Sequence, residues 1–378
     1  MILGAGRAPG KVILFGEHAV VYGRPALAVP VTQVWAEAVI EPAAAGAGVT
    51  IHAADLGEEI ALRAAPADHP LAAAVRLALA ETRSQETGIK DQESGVRSQG
   101  TGGRSQPDWR ITVRSTIPIA SGMGSGAAVS AAIVRAVAEA GGREQRSGVR
   151  SQESANGEWA AHATQYAIRN TQYALTPADV SALVYEVERL HHGTPSGIDN
   201  TVIAFGQPVY FVRGQAPQPF AIGRPFTLAI ADTGIHSPTR IAVGDVRRAW
   251  EREPARFEAL FDRIAVIVEA AQTAIAAGQP EQLGPLMDEN HTLLQAIGVS
   301  CPELDALVAA ARSAGALGAK LSGAGRGGNL IALVTDETAP QVAEALTAAG
   351  ATRVIVTQVG ATADFGRLSE DMTTNLPD

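Results

Sequence analysis

The sequence predicts an α+β fold in two halves, with a boundary around residues 215–225. Three observations carry this expectation. Strand-type runs, apolar or alternating, are interleaved with helix-type segments along most of the chain. One strand-type run passes through a glycine-rich turn straight into an Ala-rich helix near residue 120. After Gly214 the alternation begins afresh, as a second layered unit would.

In chain order, Lys11–Phe15 (KVILF) and Ala26–Val31 (ALAVPV) are short apolar runs of strand type. Arg110–Ile117 (RITVRSTI) alternates polar and apolar residues, the period of a half-buried strand. Ala127–Ala140 (AAVSAAIVRAVAEA) is proline-free and strongly helix-forming, and Gly141–Gly142 reads as its stop. Thr176–Pro177 reads as an N-cap followed by proline in the first turn of a helix running to about Leu190. In the second half, Thr227–Ala231 and Asn329–Val334 read as strands, and Arg263–Ala277 and Ala339–Ala349 as helices.

Two stretches fall outside this pattern. Residues 83–106 and 143–157 are polar, Gly/Ser-rich and almost free of large apolar side chains, and the hexapeptide SGVRSQ occurs in both regions. They cannot bury enough apolar area to offset the entropy of ordering, so they are expected to be disordered surface insertions. The tandem TQYAIRN and TQYALTP, from Thr164 and Thr171, is too short a repeat to build a solenoid.

The bulk composition narrows the function classes. Apolar residues make up 46% of the 378 and charged residues 18%, a balance that suits a folded globular protein. A formal net charge of -9 argues against a general nucleic-acid binder, which needs a basic face. It leaves room for an anionic ligand, because a local cluster of donors can hold phosphate within an acidic protein. Cys301 is the lone cysteine, so an internal disulfide and a Cys-based zinc site are excluded. No leader pattern and no apolar run of membrane-spanning length is present, and a cytoplasmic protein is expected.

Four motifs carry chemistry. The first in weight is Pro118–Ala128: Pro118, Ile119, Ala120, Ser121, Gly122, Met123, Gly124, Ser125, Gly126, Ala127 and Ala128. Glycines let a ligand approach the main chain, and the unpaired N–H groups of the following helix face outward with the positive end of its dipole. The combination suits a di- or triphosphate. A Rossmann reading of Gly122, Gly124 and Ala127 lacks the acidic residue about 20 residues on, since Glu139 falls near the helix end. The second, Lys320–Val334 (KLSGAGRGGNLIALV), runs into a strand and reads as a glycine turn packed against a ligand or another backbone. The third, Ala8–Gly23 (APGKVILFGEHAVVYG), is no Walker P-loop: Ala5 stands where its first glycine belongs, and Val12 where its Ser/Thr belongs. The fourth, Val187–Asn200 (VERLHHGTPSGIDN), sets an acid, two histidines and a second acid at a helix-to-loop junction. Asp199 there could simply cap the next helix.

Taken together and in this order, the four motifs resemble the GHMP kinase superfamily. APGKVILFGEHAVVYG, PIASGMGSGAA, HGTPSGIDN and LSGAGRGGN are most similar to its mevalonate kinase branch. The resemblance spans nearly the whole chain outside the two insertions. It implies an N-terminal ribosomal protein S5 domain 2-like unit, residues 1–220, and a ferredoxin-like unit, residues 221–378, with the active site between them. It also implies ATP and mevalonate as substrates, Mg2+ as cofactor and transfer of the γ-phosphoryl group to the 5-hydroxyl; a homodimer is one assembly open to such a chain. Matching positions make Asp199 the catalytic carboxylate and Lys11 its partner. Glu188 matches the magnesium ligand. Glu17, His18, Ser196 and Thr239 match the substrate side.

Two departures stand out. The family's phosphate loop usually reads Gly-Leu-Gly-Ser-Ser, and its second serine reaches magnesium; Gly126 replaces it here, leaving Ser125 or water for that position. Arg326 stands where glycine is usual, and a contact to a phosphate or to the substrate carboxylate is expected of it.

Overall fold

The structure is a computed structural model that describes residues 1–94, 106–118, 121–153, 175–192, 195–235 and 239–360. The tandem TQYA segment at 164–174, most of the SGVRSQ copy at 94–99, and loop residues Ile119 and Ala120 lie outside the described residues.

Two sheets divide the chain. The first has seven strands: β1 (Gly4–Phe15), β2 (Ala26–Pro42), β3 (Val49–Ala53), β4 (Glu58–Ala61), β5 (Trp109–Ser115), β6 (Val209–Phe211) and β7 (Gln218–Pro219). The long β2 is its spine. One edge pairs antiparallel with β1, and the other with β5 near its C-terminal end and with β6 at its start. The pairing of β3 with β5 is parallel. Helices α1 (Pro70–Ser94), α2 (Ser125–Glu153), α3 (Pro177–His192) and α4 (Ile198–Phe205) complete this half.

The second sheet is four-stranded and antiparallel throughout. It is built from β8 (Phe226–Asp232), β9 (Gly318–Ser322), β10 (Asn329–Val334) and β11 (Arg353–Val359), in the order β11-β8-β10-β9. With it go α5 (Thr239–Arg252), α6 (Pro254–Ala276), α7 (Leu283–Ile297), α8 (Pro302–Ser313) and α9 (Ala339–Ala348). Every residue of β9 and β10 is buried, which explains why Leu330–Val334 of β10 is an unbroken apolar run. One apolar core runs from α1, α2 and the first sheet into the second.

Several expectations are met element by element. Thr176 opens α3 with reciprocal caps: the Asp179 N–H donates to Thr176 Oγ1 at 3.2 Å, and the Thr176 N–H donates to Asp179 Oδ2 at 2.8 Å. Cys301 is the N-cap of α8, and burial pushes its thiol up, away from thiolate chemistry.

Three expectations are overturned. The first strand begins at Gly4, not Lys11: GAGRAPG is strand as well, with α2 lying on its backbone. A Cβ at Gly6 would sit 2.1 Å from the Ala132 carbonyl oxygen. Gly141–Gly142 does not stop α2, which continues to Glu153. Gly141 is instead a helix-crossing site, where a Cβ would meet Thr82 Cγ2 of α1 at 2.6 Å. The insertions, read as disordered, are partly helical, since α1 runs to Ser94 and α2 to Glu153. Propagation from a packed helix adds a hydrogen bond for each residue fixed and avoids the nucleation cost that the composition argument assumed.

Candidate active site

The glycine loop sits where three elements meet. The Lys11 N–H of β1 donates to the Met123 carbonyl at 3.0 Å, which ties strand to loop. Gly124, with φ of 75°, lies beneath the Lys11 side chain and against Ile203 of α4. A Cβ there would come within 2.8 Å of Ile203 Cδ1 and 3.1 Å of Lys11 Cγ, so only glycine lets the loop, the lysine and α4 close up together.

Lys11 is thereby almost fully buried, and its Nζ lies 2.9 Å from Asp199 Oδ1. Asp199 is about one-third exposed and belongs to the first turn of α4. It is not that helix's cap: Gly197 occupies the N-cap position at φ of 90°. The Ser196 hydroxyl accepts from the Ile198 N–H at 3.3 Å, and Thr201 donates to the Gly197 carbonyl at 2.7 Å. Asn200 anchors the same turn by donating to Ser181 Oγ of α3 at 2.9 Å. The carboxylate is therefore held by a braced turn and paired through Oδ1 with one ammonium.

Ser125 and Gly126 form the first turn of α2. A Cβ built at the exposed Gly126 would lie 3.4 Å from Glu188 Oε1 of α3. A carboxylate beside the positive end of a helix is a hard-oxygen donor set that suits magnesium, which takes one or two carboxylates and fills its remaining positions with phosphate oxygens and water. Among the described residues no cluster of three or more His, Cys, Asp or Glu forms an all-protein metal cage.

Glu17 and His18 meet a different part of the molecule. Glu17 is fully buried and paired with the equally buried Lys320 of β9. Burial pushes the Glu17 carboxyl up and the Lys320 ammonium down, each opposed by the partner's charge. His18 adopts φ of 60°, unusual for a residue with a Cβ, and its Nε2–H donates to the Ala324 carbonyl at 2.9 Å. Burial pushes His18 down to about 4, the Ala324 hydrogen bond opposing and the Arg326 charge adding. The neutral imidazole is thus the form present in the native protein at neutral pH. The unfolded chain takes up a proton near pH 6.5, so stability falls as pH drops from there to about 4. The interval corresponds to about 3 kcal/mol. Equilibrium unfolding of His18→Asn should lack that part of the acid limb; an unchanged limb would contradict the assignment.

The glycine turn after β9 is a clasp between the halves. Ser322 Oγ donates to the Ile13 carbonyl at 2.8 Å, and Asn329 Nδ2 donates to the Ser121 carbonyl in the phosphate loop. The turn packs on backbone, since a Cβ at Gly325 would fall 2.0 Å from the Val299 carbonyl oxygen. Arg326 departs from expectation. At φ of 58° its guanidinium pairs with Asp245 of α5 and reaches the Gly298 carbonyl at 3.4 Å, so that cation is already engaged by the protein.

Of the expected site residues, Lys11, Asp199, Ser121–Ala128, Ser196 and Glu188 gather around the glycine loop. Glu17 and His18 join the clasp. Thr239 is exposed as the first residue of α5, and no described contact ties it to Lys11 or Asp199. Lys320, Ser322 and Asn329 were missed as functional positions. The signal for Lys320 was present: a lysine inside an otherwise apolar strand needs a buried partner.

This geometry has counterparts. The sequence matches the GHMP kinases N terminal domain over residues 96–155 and the GHMP kinases C terminal domain over residues 267–352. It is 34% identical over 369 residues to the mevalonate kinase of Thermococcus gammatolerans, covering 92% of this chain and 94% of that one. The chain belongs to the mevalonate kinase family. The mevalonate kinase of Pyrococcus furiosus is 32% identical over the same shares of the two chains. The structure of L. major mevalonate kinase in complex with R-mevalonate superposes with a TM-score of 0.69 at 27% identity, over 94% of this chain and 95% of that one. The GHMP architecture expected of this α+β family member is therefore its fold. Among the described residues no helix is long and apolar enough to cross a membrane.

Proposed function

We propose that this protein transfers the γ-phosphoryl group of ATP to the 5-hydroxyl of mevalonate. The observation that carries the reading is the Lys11–Asp199 pair, 2.9 Å apart and directly above Gly124 of the phosphate loop. Phosphoryl transfer asks a protein for positioning and charge stabilisation. The first N–H groups of α2 and the glycine backbone receive the phosphates. Asp199 takes the proton of the attacking hydroxyl as the new O–P bond forms and the bond to the β–γ bridging oxygen breaks, and ADP departs. Lys11 fixes the position of Asp199 and stabilises charge on the transferring group. Glu17, His18, Ser196 and Thr239 serve the mevalonate side in this reading.

Magnesium, when bound, neutralises phosphate charge, and Glu188 is the protein oxygen we assign to it, with Ser125 as the second. Gly126→Ser would add a hydroxyl within reach of Glu188. The concentration of Mg2+ giving half-maximal rate should then fall severalfold, and Mn2+ bound to the protein–nucleotide complex should tighten in parallel by electron paramagnetic resonance. Unchanged values would reject this metal position. We further assign residues 1–220 and 221–378 to the two domains, because the first sheet ends at Pro219 and the second begins at Phe226. Cytoplasmic residence and a homodimer complete the proposal; light scattering tests the latter.

The deciding assay offers purified protein, ATP and Mg2+ to mevalonate, phosphomevalonate, galactose and homoserine. Turnover of mevalonate above the others is expected. Turnover of none, with nucleotide still bound, would overturn the reading and leave a ligand-binding sensor.

A further inference from the structure

The clasp after β9 has a feature that stability alone does not explain. A buried ion pair contributes little net stability, since apolar residues of equal volume do as well or better. Yet Lys320 and Glu17, fully buried and 303 positions apart, meet side chain to side chain across the junction of the two halves. The Lys320 ammonium also donates to the Leu321 carbonyl at 2.6 Å and lies 5.9 Å from the Phe15 ring.

The pair is one of three contacts with a common purpose. Lys320 and Ser322 alternate along β9, the spacing that puts their side chains on one face, and Ala324 follows in the glycine turn, where it offers its carbonyl. Lys320 grips Glu17, Ser322 grips the Ile13 carbonyl, and the Ala324 carbonyl receives the His18 imidazole. The segment they hold contains His18 at φ of 60°, a strained conformation that persists only where the surroundings over-determine it. Three contacts from β9 and the glycine turn after it supply that determination. The remaining groups facing Lys320 fit a fixed role: His291 accepts from the Leu321 N–H at 3.4 Å and donates to Asp305 at 3.1 Å, which closes the network behind it.

We propose that Lys320 is a positioning residue: acting through Glu17, it holds the Glu17–His18 segment in the conformation that receives the alcohol substrate. The inference rests on the mevalonate kinase reading given above. Lys320 touches neither substrate; its effect passes through the carboxylate it fixes.

A double-mutant cycle tests this, with KM for mevalonate, KM for ATP, kcat and melting temperature measured for wild type, Lys320→Met, Glu17→Gln and the double variant. Wild-type turnover of mevalonate comes first, and its absence would defeat the functional reading independently of Lys320. Lys320→Met should raise KM for mevalonate about tenfold, leave KM for ATP within about twofold, and add nothing once Glu17 is already Gln. A KM for mevalonate within twofold of wild type, or single effects that multiply in the double variant, would overturn the proposal. Lys320→Met leaves a buried carboxylate alone and can fail to fold; the double variant has no orphan charge and is then compared with Glu17→Gln alone. Equal KM values support positioning, and a further tenfold rise overturns it. Failure of both to fold would make the pair a stability element and defeat the proposal equally.

Discussion

Asp199→Asn should lower kcat by about 10²–10⁴-fold, the range expected when a positioned general base is lost. Nucleotide affinity should stay within about twofold, because the phosphates are received by the glycine loop and the first turn of α2, neither of which involves Asp199. Asparagine is preferable to alanine here. Lys11 is almost fully buried, and removing Asp199, its ion-pair partner among the described residues, would leave an ammonium without compensation, whereas an amide oxygen can still accept from it at 2.9 Å. Steady-state kinetics against mevalonate, paired with calorimetric binding of a non-hydrolysable ATP analogue, separates the two effects. A variant with unimpaired kcat would remove Asp199 from the chemistry. One with lost nucleotide binding would show that Lys11 depends on the pair for its place.

The largest effect on stability is expected at the clasp. Gly325→Ala sets a methyl group 2.0 Å from the Val299 carbonyl oxygen, far inside contact distance, at a residue with φ of 77°. Neither feature can relax alone, because the neighbouring atom is backbone and the Arg326 N–H already donates to the same carbonyl at 2.8 Å. A loss of more than about 3 kcal/mol is expected, the scale of overpacking added to backbone strain. Denaturant unfolding would measure it. The turn also carries Ser322 and Ala324, so activity should fall even under conditions where the variant remains folded. A variant with native stability and native KM would refute the view that this turn is fastened to the Val299 backbone.

Much of the chemistry was legible because it is local. A strand entering glycines and then an Ala-rich helix describes an anion cradle whatever surrounds it, and the order of the four motifs led to the kinase family. Lys11 and Asp199 were singled out only by that resemblance, since the residues alone left Asp199 open as a helix cap. Other features were misread for a common reason. Gly141 signalled a helix stop by propensity, yet it is a place where α2 touches another element, as are Gly4 and Gly6 of the first strand. Arg326 suggested an anion contact by its charge, and its charge is answered by Asp245 from α5.

By itself, then, the sequence determined the α+β class and a glycine turn suited to an anion, because periodicity and turn chemistry are short-range properties; it pointed to Lys11 and Asp199 only through the resemblance of its motifs to a family. Only the tertiary structure decided that Lys11 and Asp199 lie within hydrogen-bonding distance, that Glu188 faces Gly126, and that Lys320 reaches Glu17 from the other half. Those pairs are joined across as many as 303 positions. What selects them is burial: a charge taken out of water must find its counterion wherever the packed fold brings one, and no local pattern in the chain records that location.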